Sequence, residues 1–236
     1  MCVSVDFSIF GDFMKTRDRI LQTSLQLFNQ SGERAISTNH IAAELAISPG
    51  NLYYHFRNKA DIVYELFLAY QQQVDYYLAA PGSQPLMLAD LAWYLEAVFD
   101  GLWQYRFFHR DLESLLDADP RLRAGYGDFT GRCLKAINGI FSQLANGGII
   151  TPRPEPLRSA MALNVWLVIT NWMAYLKTAH ATEEPAVLSL AELKQGIYQV
   201  LTLELPHVTP EYREPVLALR ETYRPGTFCQ TAHPSL

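Results

Sequence analysis

The chain has 236 residues, 49 % of them hydrophobic, enough to bury a sizeable core in one or two domains. No apolar run approaches the twenty or so residues of a membrane span, and Cys2, Cys133 and Cys229 are too scattered for a disulfide framework or a metal site. A net charge of −5 argues against non-specific nucleic-acid binding by the chain as a whole, and the cysteine usage fits a reducing cytoplasm.

The opening MCVSVDFSIFGDF is apolar but lacks the basic start and small-residue cleavage site of a signal peptide. Met14 followed by Lys15 makes a natural beginning for the fold, so residues 1–14 read as an extension, either an upstream start or a disordered arm. Over 15–31, Ile20, Leu21, Ser24, Leu25 and Phe28 trace the buried stripe of a helix, and Gly32 just past its end suits the backbone turn that closes it.

Residues 38–59, TNHIAAELAISPGNLYYHFRNK, carry a helix, a tight break and a second short helix. Ser37 or Thr38 is available to cap the first, whose inward residues are Ile41, Ala42 and Leu45. Ala46 and Ile47 form the break. Ser48 caps the second helix, Pro49 takes its first position, and Leu52 and Phe56 point inward four residues apart. Asn51, Tyr53, Tyr54 and His55 are left facing outward, an assortment suited to phosphates and base edges. This is the pattern of a DNA-reading helix-turn-helix. Next, Asn58 caps a longer helix with Asp61 in its first turn and an apolar face of Ile62, Val63, Leu66, Phe67, Tyr70 and Val74. Lys59 stands at the start of that helix, against its dipole, which points to an anionic partner such as a phosphate.

The run IAAELAISPGNLYYHFRNKADI resembles the helix-turn-helix signature of the TetR family of bacterial transcriptional regulators, the likeness covering residues 15 to 66. The resemblance implies an all-α fold: three DNA-binding helices, then a larger helical domain that dimerises and holds a small-molecule effector. It assigns phosphate and base contacts to Thr38 and Asn39, and major-groove reading to Pro49, Gly50, Asn51, Tyr53 and Tyr54, with Ser48 at the head of that helix. His55 and Lys59 hold the backbone in this scheme. One departure is Ala46, where the family commonly has Gly in a turn needing positive φ and a Cβ costs about 1 kcal/mol.

Charge is divided along the chain in the same sense. Residues 15–60 hold six basic side chains (Lys15, Arg17, Arg19, Arg34, Arg57, Lys59) against three acidic ones (Asp18, Glu33, Glu44), a balance of +3. Residues 61–236 hold thirteen basic and nineteen acidic side chains, a balance of −6, so a duplex would attract one end and repel the other. A balance this modest calls for two copies acting together.

The domain expected over 61–205 reads as helical throughout. AAPGSQP at 79–85 is a loop, followed by helices over 86–105, 107–117, 120–145, 157–177 and 188–204, with a tail from 206 that carries at most a short helix near 211–223 and a mobile end. The 157–177 helix is apolar nearly all round and must be covered. Paired with the stripe on 188–204, it would make a four-helix dimer interface from Val165, Trp166, Ile169, Trp172, Met173, Leu193, Ile197, Val200 and Leu201. Asn164 and Asn171, on one face, would fix the register of such helices. An effector cavity would lie among the helices over 86–177, its candidates Trp93, Phe99, Trp103, Phe107, Phe129 and Trp166 with Arg106 and His109 as polar neighbours. Salt bridging of the Arg106, His109 and Arg110 cluster with Asp111 and Glu113 is the favoured role for its charges.

Enzyme readings fail. His109-Arg110-Asp111-Leu112 resembles a kinase catalytic loop but lacks the Asn five residues on, and HExxH, GxSxG and P-loop patterns are absent. No cofactor, metal or membrane partner is expected. The expectation is a homodimeric regulator, a repressor, that binds a palindromic operator in double-stranded DNA and is released by a small, largely apolar effector. The alternative is a helical dimer that binds small molecules or proteins without binding DNA.

Overall fold

The computed structural model describes residues 15–79, 86–179 and 188–226, and the named elements among them are all helices. The expected arm at the start, most of the loop at 79–85 and the end of the tail lie outside these residues.

Three helices open the chain: α1 (Thr16–Ser31), α2 (Thr38–Glu44) and α3 (Pro49–His55). Helices of seven residues, as α2 and α3 are, do not hold alone in water, so their ends and inner faces must be fixed. Ser37 Oγ accepts from the His40 amide at 3.2 Å while His40 Nδ1 accepts from the Ser37 amide at 3.3 Å. The Asn51 amide donates to Ser48 Oγ at 3.2 Å, and the Asp61 amide donates to Asn58 Oδ1 at 2.8 Å. Each bond satisfies a helix-end amide that would otherwise lack a partner. Inward, Ile41, Leu52 and Phe56 close on Ile20 and Phe28 of α1.

Between α2 and α3 the chain turns on Ala46, the one non-glycine residue with positive φ (53°) among those described. The Ile47 amide donates to the Ala42 carbonyl at 3.0 Å and the Ala46 amide to the Ala43 carbonyl at 3.1 Å. These two bonds make a Schellman turn, which asks for a left-handed residue where Ala46 stands. Ala46→Gly relieves that strain but frees the unfolded chain, and should net a stabilisation of about 0.5–1 kcal/mol. Urea midpoints with an unchanged slope would measure it; a loss of stability would show the turn to be unstrained.

The longer helices are α4 (Lys59–Leu78), α5 (Leu88–Gln104), α6 (Arg106–Ala118), α7 (Pro120–Asn146), α8 (Glu155–Ala179), α9 (Leu190–Glu204) and α10 (Arg213–Glu221). They form two cores. The first joins α1–α3 to α4, α6 and the front half of α7, centred on Phe67, which stacks on Phe108 at 5.3 Å and meets Phe129 edge-on. The second gathers α5, the rear of α7, α8, α9 and α10 around Phe99, Leu193 and Ile197. There α9 approaches so closely that a Cβ on Gly196 would stand 2.5 Å from the Phe99 ring and 2.7 Å from Trp172.

Two expectations need correction. By length and composition α8 is apolar enough to cross a membrane, although only 33 % of its most apolar window is buried in the chain. It packs on α6, α7 and α9 through Met161, Val165, Ile169, Met173 and Leu176, and leaves Leu163, Asn164, Leu167, Asn171 and Tyr175 in the open. The expected dimer set is largely interior: Val165, Ile169, Met173, Leu193, Ile197, Val200 and Leu201 are buried within the single chain. A helical stripe shows that a face is covered but not by what, and here the two stripes cover each other.

Candidate nucleic-acid interface and cavity

At the outer end of the first core, α3 presents one open face. Tyr54 is 85 % exposed and Tyr53 49 %, with Asn39, Ser48, Pro49, Gly50 and Asn51 also exposed and Thr38 and His55 partly covered. Thr38 Oγ1 and the Tyr53 hydroxyl lie 3.1 Å apart in a hydrogen bond that braces α2 against α3. Tyr54 leans edge-on against His55 at 5.1 Å, and Ser48 spends its hydroxyl on the α3 cap. The structure therefore gathers Thr38, Asn39, Asn51, Tyr53, Tyr54 and His55 on one rigid surface, with donors, acceptors and two aromatic rings turned outward.

Lys59 departs from its expected role. Its ammonium donates to the Glu33 carbonyl at 2.9 Å and the Ile36 carbonyl at 3.0 Å, and pairs with the Glu33 carboxylate at 2.8 Å. The anionic partner demanded by its place at a helix start is thus inside the chain. Arg17 is likewise paired with Glu65 at 2.8 Å, so the surplus of positive charge facing outward rests on Lys15, Arg19, Arg34 and Arg57. Lys59→Ala should cost about 1–2 kcal/mol of stability by stranding two carbonyls and a largely buried carboxylate. The salt dependence of DNA binding should equal that of the parent. A fall of about one counterion with stability intact would return the ammonium to a phosphate.

Behind the α3 face, α6 is tied to the end of α1. Arg110 donates to the Phe28 carbonyl at 2.7 Å, Asn29 bridges the Gln104 carbonyl (2.8 Å) and the Phe107 amide (3.0 Å), and the Glu33 amide donates to Asp111 at 3.3 Å. Arg34 reaches Ser114 at 2.5 Å. The polar cluster that sequence placed near a ligand is thus a clamp on the three-helix head, with Arg110 paired to Asp111 as expected and Arg106 lying over the Trp103 ring at 4.4 Å.

A cavity of about 100 Å³ lies at the seam of the two cores. Its wall takes Tyr70, Val74 and Leu78 from α4, Phe129 and Cys133 from α7, and Val165, Trp166 and Ile169 from α8. Of the expected effector residues, Phe129 and Trp166 line it and the others do not. Phe99 and Phe107 are spent inside the two cores, Trp93 is 52 % exposed, and Trp103, Arg106 and His109 stand outside the wall. Glu204, at the end of α9, is the residue that sequence reading missed; it lines the cavity, and burial alone pushes its carboxyl up to about 7. A signal was present, since Leu193, Ile197, Val200 and Glu204 continue one helical stripe with an acid at its last position.

A family model described as bacterial regulatory proteins of the tetR family matches residues 20–66, and one described as a bacterial transcriptional repressor, TetR, matches residues 69–216. A solved TetR-family transcriptional regulator from Marinobacter aquaeolei VT8 is 70 % identical, with a TM-score of 0.84, the match covering 90 % of this chain and all of that one. An HTH-type transcriptional regulator of Staphylococcus aureus strain MRSA252 is 30 % identical over 116 residues, 45 % of this chain. Another, of strain USA300, is 36 % identical over 70 residues, 27 % of this chain. The chain spans 56 % and 38 % of the length of these two curated relatives. With the capped helix-turn-helix in front and the long helices behind it both matched, the chain belongs to the TetR family of bacterial transcriptional regulators, a family of regulators rather than enzymes.

Proposed function

We propose that the chain is a ligand-responsive repressor that binds a palindromic operator as a cytoplasmic homodimer and leaves it when a small, largely apolar effector enters the cavity. The observation that carries this is the double duty of α4. At its start Lys59 and Ile62 belong to the three-helix head, and further along Tyr70, Val74 and Leu78 form cavity wall. Twenty residues of helix make a strut about 30 Å long. The cavity is smaller than the roughly 300 Å³ of an ordinary ligand site, so an occupant has to spread its walls, and moving α4 moves the head. Two heads set about 34 Å apart lose their fit to both half-sites together, a coupling typically of about 1–3 kcal/mol.

Dimerisation would use the open stripe of α8, where Leu163, Leu167 and Tyr175 alternate with Asn164 and Asn171, apolar area supplying association and the amides fixing register. In this scheme Thr38 and Asn39 approach phosphates and bases at the groove edge, and Asn51, Tyr53 and Tyr54 enter it.

Selection of binding sites from random duplex DNA, followed by a salt titration on the winner, tests the reading. A palindrome bound by a dimer with a steep salt slope supports it. Absence of enrichment at low salt with the dimer intact favours a binding module without DNA. On the selected site, Tyr54→Ala should cost about 1–2 kcal/mol and flatten the preference at one base position while leaving the melting temperature unchanged, since the side chain is mostly in solvent.

A further inference from the structure

The cavity wall is hydrocarbon and aromatic almost throughout, and among its lining residues Glu204 is the sole one with a carboxylate or a basic group. Its other polar atoms are largely committed: Thr170 Oγ1 donates to the Trp166 carbonyl at 2.8 Å, and the Tyr70 hydroxyl bonds His109 Nε2 at 2.9 Å. The Cys133 thiol is held neutral by burial. Glu204 Oε2, by contrast, is shut from solvent and has no hydrogen-bond partner. A buried carboxylate oxygen with nothing to accept from is a cost to the fold. A leucine at the same place on the α9 stripe would avoid that cost.

We propose that the cavity takes a compact apolar amine, whose ammonium pairs with Glu204 while its hydrocarbon body fills the seam between α4, α5, α7 and α8. This rests on reading the cavity as an effector site and adds the chemical class. Among head groups, an ammonium forms a charge-assisted bond to a carboxylate, stronger than the bond from a neutral hydroxyl, and a carboxylate head would meet repulsion. Size follows from the space: an apolar cavity of about 150 Å³ holds one benzene-sized ring, and about 100 Å³ admits a ligand of that order once the walls relax. Desolvating the ammonium is repaid only where a carboxylate waits for it, so the apolar lining makes the pairing selective.

Calorimetric titration of the full chain without DNA, at pH 8 where the carboxyl is ionised, tests this with 2-phenylethylamine, 2-phenylethanol and phenylacetate. The amine is expected to bind about tenfold tighter than the alcohol, with phenylacetate weakest. In Glu204→Gln the amine should fall to the alcohol's affinity while the alcohol keeps its own. Equal binding of amine and alcohol, preference for phenylacetate, an amine affinity that survives Glu204→Gln, or no binding of the amine overturns the proposal. Binding of the alcohol alone would leave the cavity a ligand site and the amine assignment wrong. Because no operator is present, a failure to bind DNA reads out separately, in the site selection.

Discussion

His109→Gln should match the parent chain in stability at pH 8 and exceed it by about 2–3 kcal/mol at pH 4. His109 sits on α6 with its Nδ1 buried and unpartnered and its Nε2 bonded to the Tyr70 hydroxyl, and burial pulls it down from its ordinary 6.5 to about 4. The unfolded chain takes up a proton below 6.5 that the folded chain refuses until about 4. Across that window the unfolded state holds more protons, so folding stability falls as pH falls. Glutamine remains neutral and can keep a bond to Tyr70, so it removes the proton linkage and spares the contact. Unfolding by urea at pH steps from 8 to 4, parent against variant, reads the difference; parallel curves would show that His109 is not the acid-labile group.

The consequence reaches past stability. Tyr70 is at once cavity wall and the partner of His109, and the neighbours of His109 on α6, Arg110 and Asp111, hold the end of α1 and the loop after it. Protonating His109 therefore strains the second support of the reading head, the first being α4 itself.

How much of the fold and the site was legible in the sequence depends on the range of the interactions. The caps at Ser48 and Asn58 and the inward pair Leu52 and Phe56 depend on residues within five positions and their pattern is printed in the chain, whereas the left-handed turn at Ala46 was legible only through the family resemblance. Lys59 was readable only by half. Its conflict with the helix dipole called for an anion, but Glu33 and the two carbonyls that answer it lie 23 to 26 residues upstream, across two turns. The aromatics failed for the same reason. Phe99 looks like any other ring on α5 until Gly196 of α9 is brought against it, and no local pattern separates a ring that fills a core from one that walls a space. Glu204 breaks its own stripe, and an acid ending a run of buried positions is the kind of local conflict that tends to mark a functional place.

Glu204→Gln should stabilise the protein by about 3 kcal/mol at pH 8 and leave it unchanged below pH 4.5. Here the linkage runs opposite to that of His109. Burial raises the carboxyl from 4.5 to about 7, so between those values the folded chain holds the proton that the unfolded chain has lost. Stability therefore falls as pH rises through that window, and above about 7 the fold carries the whole cost of an ionised group without a partner. An amide of the same shape carries no such charge and loses nothing on acidification. Between 4.5 and 6.5 the two groups oppose each other in the parent chain, so a flat profile there conceals both, and only the paired variants separate them. Thermal unfolding of Glu204→Gln across pH 4 to 8 would measure the effect, and a variant no more stable than the parent at pH 8 would mean that the carboxylate already has a partner in solution. A carboxylate that costs the fold stability has no structural use here, and the cation proposed for this cavity would give it one. The variant that gains stability is thus the one that should lose the amine, and both readings come from the same preparation.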